Sequence, residues 1–584
     1  MLVCAPLKTA SSPSFAPRAV DTDAAMGLGR RLGLHPVTAH VLVGRGIATE
    51  EAARRFLRPG PDALLDPRLL MDMDRATEVI AATIEAKGSI AVYGDYDVDG
   101  VCGTALLLRA LKALGAEARG FIPHRVADGY GLRADALRRL RAEGCALVVT
   151  VDNGTTRAQE IAEAEAEGLK VVVTDHHEAT ADLPRCPLLN PKRPDGAYPF
   201  PGLAGCGVAL KLALALAERM GRLPQESFKA LMPDLLALAA VGTVADVVPL
   251  RDENRSLVAM GLRALSGTRH AGLRALLEVS RCAGRGVRAH DVGFRIGPRI
   301  NAAGRIGSAD AALELLLCDD PVRAKELAGA LEAGNRERQR IERDHTEEAL
   351  AIAERDLATA PPALVLAREG WHPGVIGIVA ARVAETYDRP AALVAIEKGL
   401  GRGSARSFGA ARLHEALERC GAHLLSHGGH AKAAGFTLRA ESLPAFRAAF
   451  LEAIAAQGGS AAGPSTVDAE LPLDALTVPL AAELETLEPF GSGNEEPLFC
   501  AFDVRAAGEL RRMGPNEKQV VFYAATDRSS VKATAPVGLF PEEALEGRFD
   551  IAFFVRKREG PGEPFEIRIR QLVGRQGSAA ATGA

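Results

Sequence analysis

Aromatic residues make up only 4% of this 584-residue chain, with a single tryptophan, so broad platforms for stacking nucleobases should be few. Cysteine is sparse: Cys4, Cys102, Cys145, Cys186, Cys206, Cys282, Cys318, Cys420 and Cys500 are scattered, odd in number and never spaced C-x-x-C. That argues against a Cys-ligated zinc site and a disulfide framework, and the cysteines read as small core residues in a reducing compartment. Long uncharged runs are also missing. Lys211 and Asp246 interrupt the most apolar stretches, so no run of roughly 20 residues suited to a membrane span is expected. The opening MLVCAPLKTASSPSFAPRAV lacks the continuous apolar stretch of a secretory signal, and a soluble cytoplasmic protein without membrane partners is expected. Nor is there an excess of either charge. Seventy basic against 74 acidic residues leave a formal −4, which excludes nucleic-acid binding through overall basicity but not through a local basic groove. Most of the basic residues are arginine, for which GC-rich codon usage is the simplest explanation.

What is present is the balance of an ordinary folded protein, 47% apolar and 25% charged, long enough for several domains at roughly 100–200 residues each. Residues 1–25, rich in Ser, Pro and Ala, are expected to be disordered, and 26–86 to be helical with Pro-containing turns. From 87 to 310 short Val/Ile runs alternate with amphipathic helical segments: IAVYG at 90–94, ALVVTV at 146–151 and KVVVT at 170–174. Continuous apolar runs between helices predict a parallel sheet covered on both faces. Residues 311–360 hold one long charged helix, about 319–358, expected to be a solvent-bridging connector. A smaller α/β pattern follows over 361–455, then a Gly/Ser/Ala linker. LFCAFDV, QVVFYAAT, DIAFFVRK and FEIRIRQL make 465–574 an all-β module, a five-stranded barrel. The tail 575–584 is low-complexity and expected to be disordered.

The informative residues are acidic and stand where strands end. YGDYDVDG places Asp95, Asp97 and Asp99 after the first strand, TVDNG places Asp152 after the next strong one, and TDHH places Asp175, His176 and His177 after the third. GTVADVVPL adds Asp246 after an apolar helical run. Neighbouring strand ends of an open parallel sheet converge on one crevice, where several carboxylates repel one another unless cations neutralise them. Oxygen-rich ligands with one or two imidazoles suit Mn²⁺ or Mg²⁺ better than Zn²⁺, and two such ions about 4 Å apart can hold the attacking and leaving oxygens at phosphorus. The bland readings are an EF-hand loop, a helix N-cap and a structural His pair. D-x-D-x-D-G lacks the Glu that an EF-hand has at its twelfth position. A lone Asp after a strand reads as an N-cap, Asp152 included, but four such pieces in succession are improbable by chance.

These four motifs resemble the ordered motifs of the DHH phosphoesterase superfamily. IPHR…DGYGL at 122–132, NPK at 190–192, LAGCGVALKL at 203–212, GPRINAAGR at 297–305, WHPGVIGIVAAR at 371–382, GGHAKAAGF at 428–436 and EPFGSGNEEPLF at 488–499 narrow the resemblance to the RecJ family of single-stranded-DNA-specific 5′→3′ exonucleases. The similarity runs from about residue 70 to about 570. It implies a DHH catalytic domain and a smaller DHHA1 domain joined by the long helix, with an OB-like β-module behind. It further implies two divalent metal ions, Mn²⁺ or Mg²⁺, held by Asp95, Asp97, Asp99, Asp152, His176 and Asp246, with Asp152 between them. His177 would meet the scissile phosphate, and Asp175 would hydrogen-bond the neighbouring imidazole.

A 5′-exonuclease must hold the terminal phosphate at a fixed distance from the metals, a task suited to the planar fork of arginine. In GLGRGSARSFG (399–409) the glycines let an anion approach, although a tight β-turn with a solvated Arg is the simpler reading of the segment alone. By resemblance, Ser404 and Arg406 belong to the 5′-phosphate pocket with Arg125 and Arg299. Arg299 and Arg305 could instead brace the domain interface. His430 lies in a small-residue segment suited to close ligand approach, or is a capped core histidine. Trp371 reads as a packing anchor. Arg556, Lys557, Arg568 and Arg570 are candidates for following a DNA backbone, each more simply part of a solvated strand face. The implied activity is release of 5′-mononucleotides from single-stranded DNA with a 5′ end, in repair and recombination, by a monomer that meets single-strand-binding protein and a helicase. A short-oligonucleotide or cyclic-dinucleotide phosphodiesterase is the first alternative, weakened by the β-module. A non-catalytic single-stranded-DNA-binding scaffold is the second, weakened because every ligand position keeps an Asp or His.

Overall fold

The computed structural model describes residues 15–124, 131–357, 360–458, 465–514, 518–539, 547–558 and 563–574. It divides into two units, one running from Leu64 to Ala461 and one made of the segments before and after it. The expected disorder over 1–25 does not hold for its second half. Phe15–Pro17 is a strand, β1, with Phe15 only 1% exposed, and the helix Thr22–Leu32 starts on Asp21, whose carboxylate accepts the Ala24 N–H. Composition misleads here because β1 finds its ladder partner near the other end of the chain. Residues 1–14 and the tail 575–584 lie outside the described residues.

In the unit Leu64–Ala461, five parallel strands form the first sheet: β2 (Ser89–Tyr93), β3 (Ala118–Phe121), β4 (Cys145–Thr150), β5 (Lys170–Thr174) and β6 (Leu188–Leu189). They stand in the order β3-β2-β4-β5-β6, so the strand order reverses between β2 and β4 and opens a crevice at their carboxyl ends. Val92, Val149 and Val172 on one face join a large core with the helices Val98–Ala113, Gly205–Arg219 and Glu226–Ala245. Ala91, Val148 and Val171 on the other pack under Leu137, Leu140 and Ile161, the two-sided burial that continuous apolar strands require. Glu226–Ala245 is the one helix among the described residues with the length and composition to cross a membrane, contrary to the expectation that none would. It packs between Val98–Ala113 and Asp252–Ser266 as a core helix.

The connector Pro321–Asp356 is a single 36-residue helix, but it does not bridge through solvent. Ala324, Leu327, Ala328 and Leu331 lie in the catalytic core, and Ala349 and Ala353 lie in the next one. The buried stripe between them is polar. Arg338 pairs with Glu342 and donates to Asn335 Oδ1 at 2.8 Å, and Arg382 of the following domain reaches Glu342 at 2.5 Å. A buried face built from polar groups that pair with one another resembles a solvated one in the sequence. The mixed sheet that follows contains β7 (Leu364–Glu369), β8 (Ala391–Glu397), β9 (Leu400–Arg406), β10 (Ser426–Gly429) and β11 (Ala433–Arg439), in the order β10-β11-β9-β8-β7.

The other unit is discontinuous. β12 (Ser465–Val467) pairs with β1, and β13 (Ala469–Glu470) with the start of β14 (Phe499–Met513). With β15 (Gln519–Ala525), β16 (Ser530–Pro536), β17 (Arg548–Lys557) and β18 (Phe565–Gly574), β14 closes a five-stranded barrel in the order β14-β15-β16-β18-β17 and back to β14. Its core takes Leu28, Val41, Leu42 and Ala53 from the N-terminal helices, a sharing that element-by-element reading of the chain does not anticipate.

Candidate metal centre and active site

The carboxyl ends of β2, β4 and β5 bring the acidic motifs together at the strand-order reversal. Ligand atoms of Asp95, Asp97 and Asp152 lie within 4.8 Å of one another, as do those of Asp152, His176 and His177, and those of Asp99, His176 and Asp246. Asp152 belongs to two of these groups and His176 to two. His176 Nε2 stands 3.1 Å from Asp152 Oδ1, 3.5 Å from Asp246 Oδ2 and 3.9 Å from Asp99 Oδ2. Asp95, Asp99, Asp152 and His176 are all buried.

Local structure aims each side chain. Asp97, not Asp152, is the helix cap: it precedes Val98–Ala113 and its Oδ1 accepts the Gly100 N–H at 3.1 Å. Asp152 instead sits in a tight turn at φ 64, a left-handed conformation uncommon for a residue with a side chain. Its N–H donates to Thr174 O, and Asn153 ties the turn to the carbonyls of Val151 and Tyr93. Asp99 accepts the N–H groups of Gly205 at 2.6 Å and Cys206 at 2.9 Å, at the N-terminus of Gly205–Arg219, where unpaired backbone donors favour an anion. A Cβ on Gly205 would lie 2.7 Å from Asp152 Cβ. Gly205 and Cys206 were not singled out from the sequence as site residues, although a small pair opening an apolar helix is a signal for such a cradle. Gly205→Ala should displace Asp152 and cut activity about 100-fold, the scale expected for a misplacement of about 1 Å; steady-state rates with and without excess Mn²⁺ check this.

The electrostatics call for cations. Burial and the carboxylates of Asp99, Asp97 and Asp95 push Asp152 well above the ordinary Asp range, and burial with Asp99 and Asp97 brings Asp246 up to about 8. Burial holds the His176 ring below its usual value, the neutral state a metal ligand needs. Asp152 Oδ1 and both ring nitrogens of His176 are buried without a hydrogen bond, an expensive arrangement unless something else binds them. Oxygen donors with one or two imidazoles fit Mn²⁺ or Mg²⁺, so these residues fit a two-ion site.

Asp175 and His177 form a separate pair. Asp175 Oδ1 lies 2.7 Å from His177 Nδ1, and the same carboxylate accepts the N–H groups of Thr155, His176 and His177. Burial alone would raise the acid and lower the base; the hydrogen bond between them and the attraction of their charges together outweigh it, holding Asp175 below the usual range and raising His177 to about 9. Asn190 of the NPK motif, whose role the sequence did not disclose, donates to His177 O at 2.9 Å.

Ser404 and Arg406 share one face of β9, where Arg406 Nη1 donates to Ser404 Oγ at 3.0 Å. The opening of the helix Ile376–Tyr387 lies against them, since a Cβ on Gly377 would meet Arg406 Nη2 at 2.8 Å and Ser404 Oγ at 3.0 Å. Two polar side chains facing a helix N-terminus have the chemistry to receive an anion. Arg305 Nη1 donates to Gly374 O just before that helix, and the neighbouring Gly304 packs on Tyr96 O between Asp95 and Asp97. The two sites thus share the wall Gly297–Ile306.

The remaining candidates separate. Arg299 touches the connector helix: its Nε lies 2.7 Å from Glu332, and Nη1 donates to Arg295 O. Arg125 lies outside the described residues. His430 is exposed at the β10–β11 turn, its N–H on Ala433 O, which excludes a core histidine. Trp371 is buried with Nε1 on Glu348. In the barrel, Arg556 and Lys557 pair with Glu496 and Glu485. Arg568, stacked 4.9 Å over Phe554, and Arg570 line a groove of about 730 Å³ with Gln519, Thr534 and Leu539.

A parallel sheet with an acidic, His-bearing crevice and an appended smaller α/β domain defines a metal-dependent phosphoesterase of the DHH type. Residues 89–243 match the DHH family, N-terminal domain, 360–456 the DHHA1 domain and 467–559 the RecJ OB domain. The single-stranded-DNA-specific exonuclease RecJ of Dickeya dadantii is 39% identical over 472 residues, 78% of this chain and 81% of that protein. The RecJ of Bacillus subtilis is 37% identical over 532 residues, 90% of this chain and 66% of that protein. The crystal structure of Thermus thermophilus RecJ in complex with Mn²⁺ superposes with a TM-score of 0.81 at 33% identity, covering 95% of this chain and 78% of that one. A second structure of the Thermus protein is in complex with Mg²⁺. The chain belongs to the RecJ family of single-stranded-DNA-specific exonucleases.

Proposed function

We propose that this chain removes 5′-mononucleotides successively from the 5′ end of single-stranded DNA, in DNA repair and recombination in the cytoplasm. The observation that carries the reading is Asp152 Oδ1, buried without a hydrogen bond where two ligand groups meet. Divalent cations held by Asp95, Asp97, Asp99, Asp152, His176 and Asp246 would activate water and neutralise charge on the attacking and leaving oxygens. The chain supplies the rest. His177, protonated through its bond to Asp175, offers its other ring N–H to the scissile phosphate. Ser404 and Arg406 hold the terminal phosphate, and the shared wall Gly297–Ile306 sets its distance from the metal centre. In this reading residues 87–310 do the chemistry, 361–455 hold the end and 465–574 guide the strand. The protein acts as a monomer, with single-strand-binding protein and a helicase delivering the DNA.

The test is degradation of end-labelled single-stranded and duplex DNA with Mn²⁺, comparing wild type with Asp152→Asn. Stepwise loss from the 5′ end of single strands, absent in the variant, is expected. Activity surviving the substitution, attack from the 3′ end, or a preference for dinucleotides would overturn the proposal.

The Asp175–His177 pair adds a pH signature. Burial lowers His177, but the hydrogen bond and charge of Asp175 hold it above its usual value in the metal-free site, so its contribution is present at lower pH and is lost as pH rises through the raised pKa. Asp175→Asn removes the carboxylate that raises it, and the alkaline limb of kcat should move to lower pH by about one unit or more. An unchanged limb would take the His177 charge out of the mechanism.

A further inference from the structure

We propose that Phe294 is a stacking platform for one unpaired base of the strand whose end lies in the metal centre. This inference rests on the proposed exonuclease reading and adds a residue that fixes how the strand enters. Phe294 is among the most exposed large apolar side chains, 72% accessible, in a chain where aromatics are scarce. It lies on a single π-helical turn, Val292–Ile296, that runs into the helix Gly297–Ile306. Such turns insert one extra residue and re-aim a side chain, often at functional sites.

Its place follows from the helix it precedes. Gly297, three residues on, lies against the metal-ligand loop: a Cβ there would lie 3.8 Å from Val98 Cγ2 and 3.7 Å from Ala245 Cβ, and one on Gly304 would lie 2.6 Å from Tyr96 O. Tyr96 and Val98 flank Asp97, and Ala245 precedes Asp246. Val292 and Ile296 of the same turn are buried in the catalytic core, so Phe294 between them is turned to solvent at the end of the wall that lines the ligand loop. Val247, next to Asp246, is also exposed at 68%.

The surroundings suit a nucleobase rather than a protein side chain. The His290 ring stacks on Phe294 at 4.6 Å and 28°, so one face of the aromatic pair is already ordered. Arg295 follows directly, 3.6 Å from Asp291 with its side chain 47% exposed, so the side of its guanidinium turned away from Asp291 can attract the phosphates that accompany each base. Base stacking on an aromatic face does not depend on sequence, as an enzyme that digests any strand requires. A base inside a duplex already has both faces stacked on neighbouring pairs, so the platform favours single strands, whose bases unstack readily.

The test is a cycle between protein and substrate. An abasic nucleotide is placed in turn at each position near the 5′ end of a 5′-phosphorylated single strand, and cleavage of the first phosphodiester is timed with Mn²⁺ for wild type, Phe294→Ala and Phe294→Trp. At one position the missing base should cost wild type and Phe294→Trp about tenfold in kcat/KM, mostly in KM. It should cost Phe294→Ala nothing, although the variant is slower on intact DNA. Equal abasic penalties in wild type and Phe294→Ala at every position would overturn the platform. Absence of cleavage by every form on intact DNA would instead overturn the exonuclease reading beneath it. The exposed ring contributes little to folding, and an unchanged melting temperature verifies that.

Discussion

Asp152→Asn should lose nuclease activity by about 10³-fold or more while making the metal-free protein more stable. Both effects come from one atom's position. Asp152 Oδ1 belongs to two ligand groups, is buried and has no hydrogen bond, so replacing it weakens the grip on both cations at once. Lewis-acid stabilisation worth several kcal/mol is then lost, and each 1.4 kcal/mol is tenfold in rate. Without cations the same carboxylate is a liability: burial and four neighbouring Asp residues push its protonation well above normal. Asn keeps the shape, removes the charge and tolerates the left-handed φ of 64. The gain should be about 1–3 kcal/mol, read as a melting temperature a few degrees higher after chelation. Adding Mn²⁺ should raise the wild-type midpoint, by about 2.7 kcal/mol at a hundredfold excess over Kd, and the variant's much less. A metal-free variant less stable than wild type would show that the cluster is not strained by its own charge.

Arg406→Ala should abolish discrimination between 5′-phosphate and 5′-hydroxyl ends with little change in turnover at saturating DNA. Arg406 is held by Ser404 Oγ and by Ala405 O, against the first turn of Ile376–Tyr387. It can therefore meet a phosphate without first ordering its long side chain, which is where much of the cost of binding lies. Removing one partner of a desolvated charge pair costs about 2–5 kcal/mol, so kcat/KM on phosphorylated strands should fall on the order of 100-fold while hydroxyl ends change little. Competition between the two substrates in one tube measures the ratio directly. A fall in kcat with preserved end preference would place Arg406 at the chemistry instead.

The metal centre was legible in the sequence because its parts are local. Each ligand stands within a few residues of a strand or helix end, and in a parallel sheet those ends must converge. What the residues do besides ligation was not legible. Read alone, Asp152 is a helix cap; the capping belongs to Asp97, and the distinction lies in one backbone angle. Arg299 has a binding and a bracing role open to it in the sequence, and its pairing with Glu332 is a contact that the sequence does not announce. The connector looks solvated in the sequence because its buried middle, Asn335, Arg338 and Glu342, is charged and polar and pairs within itself. The N-terminal Ser/Pro-rich stretch looks disordered in the sequence because the partner of β1 comes from β12. In each case the deciding contact is long-range or conformational, and composition carries neither.

The pairing of β1 with β12, and the helices before residue 63 that complete the barrel core, have a consequence for biosynthesis. A ribosome releases the N-terminal helices first, yet their apolar faces cannot be covered until the last strands emerge. The catalytic unit, contiguous from Leu64 to Ala461, can fold during that interval. A message truncated after residue 461 would therefore yield a complete metal centre attached to an orphaned, sticky N-terminal segment. Such a fragment is a substrate for chaperones and proteases before it is a nuclease, so the architecture delays a durable enzyme until translation is finished.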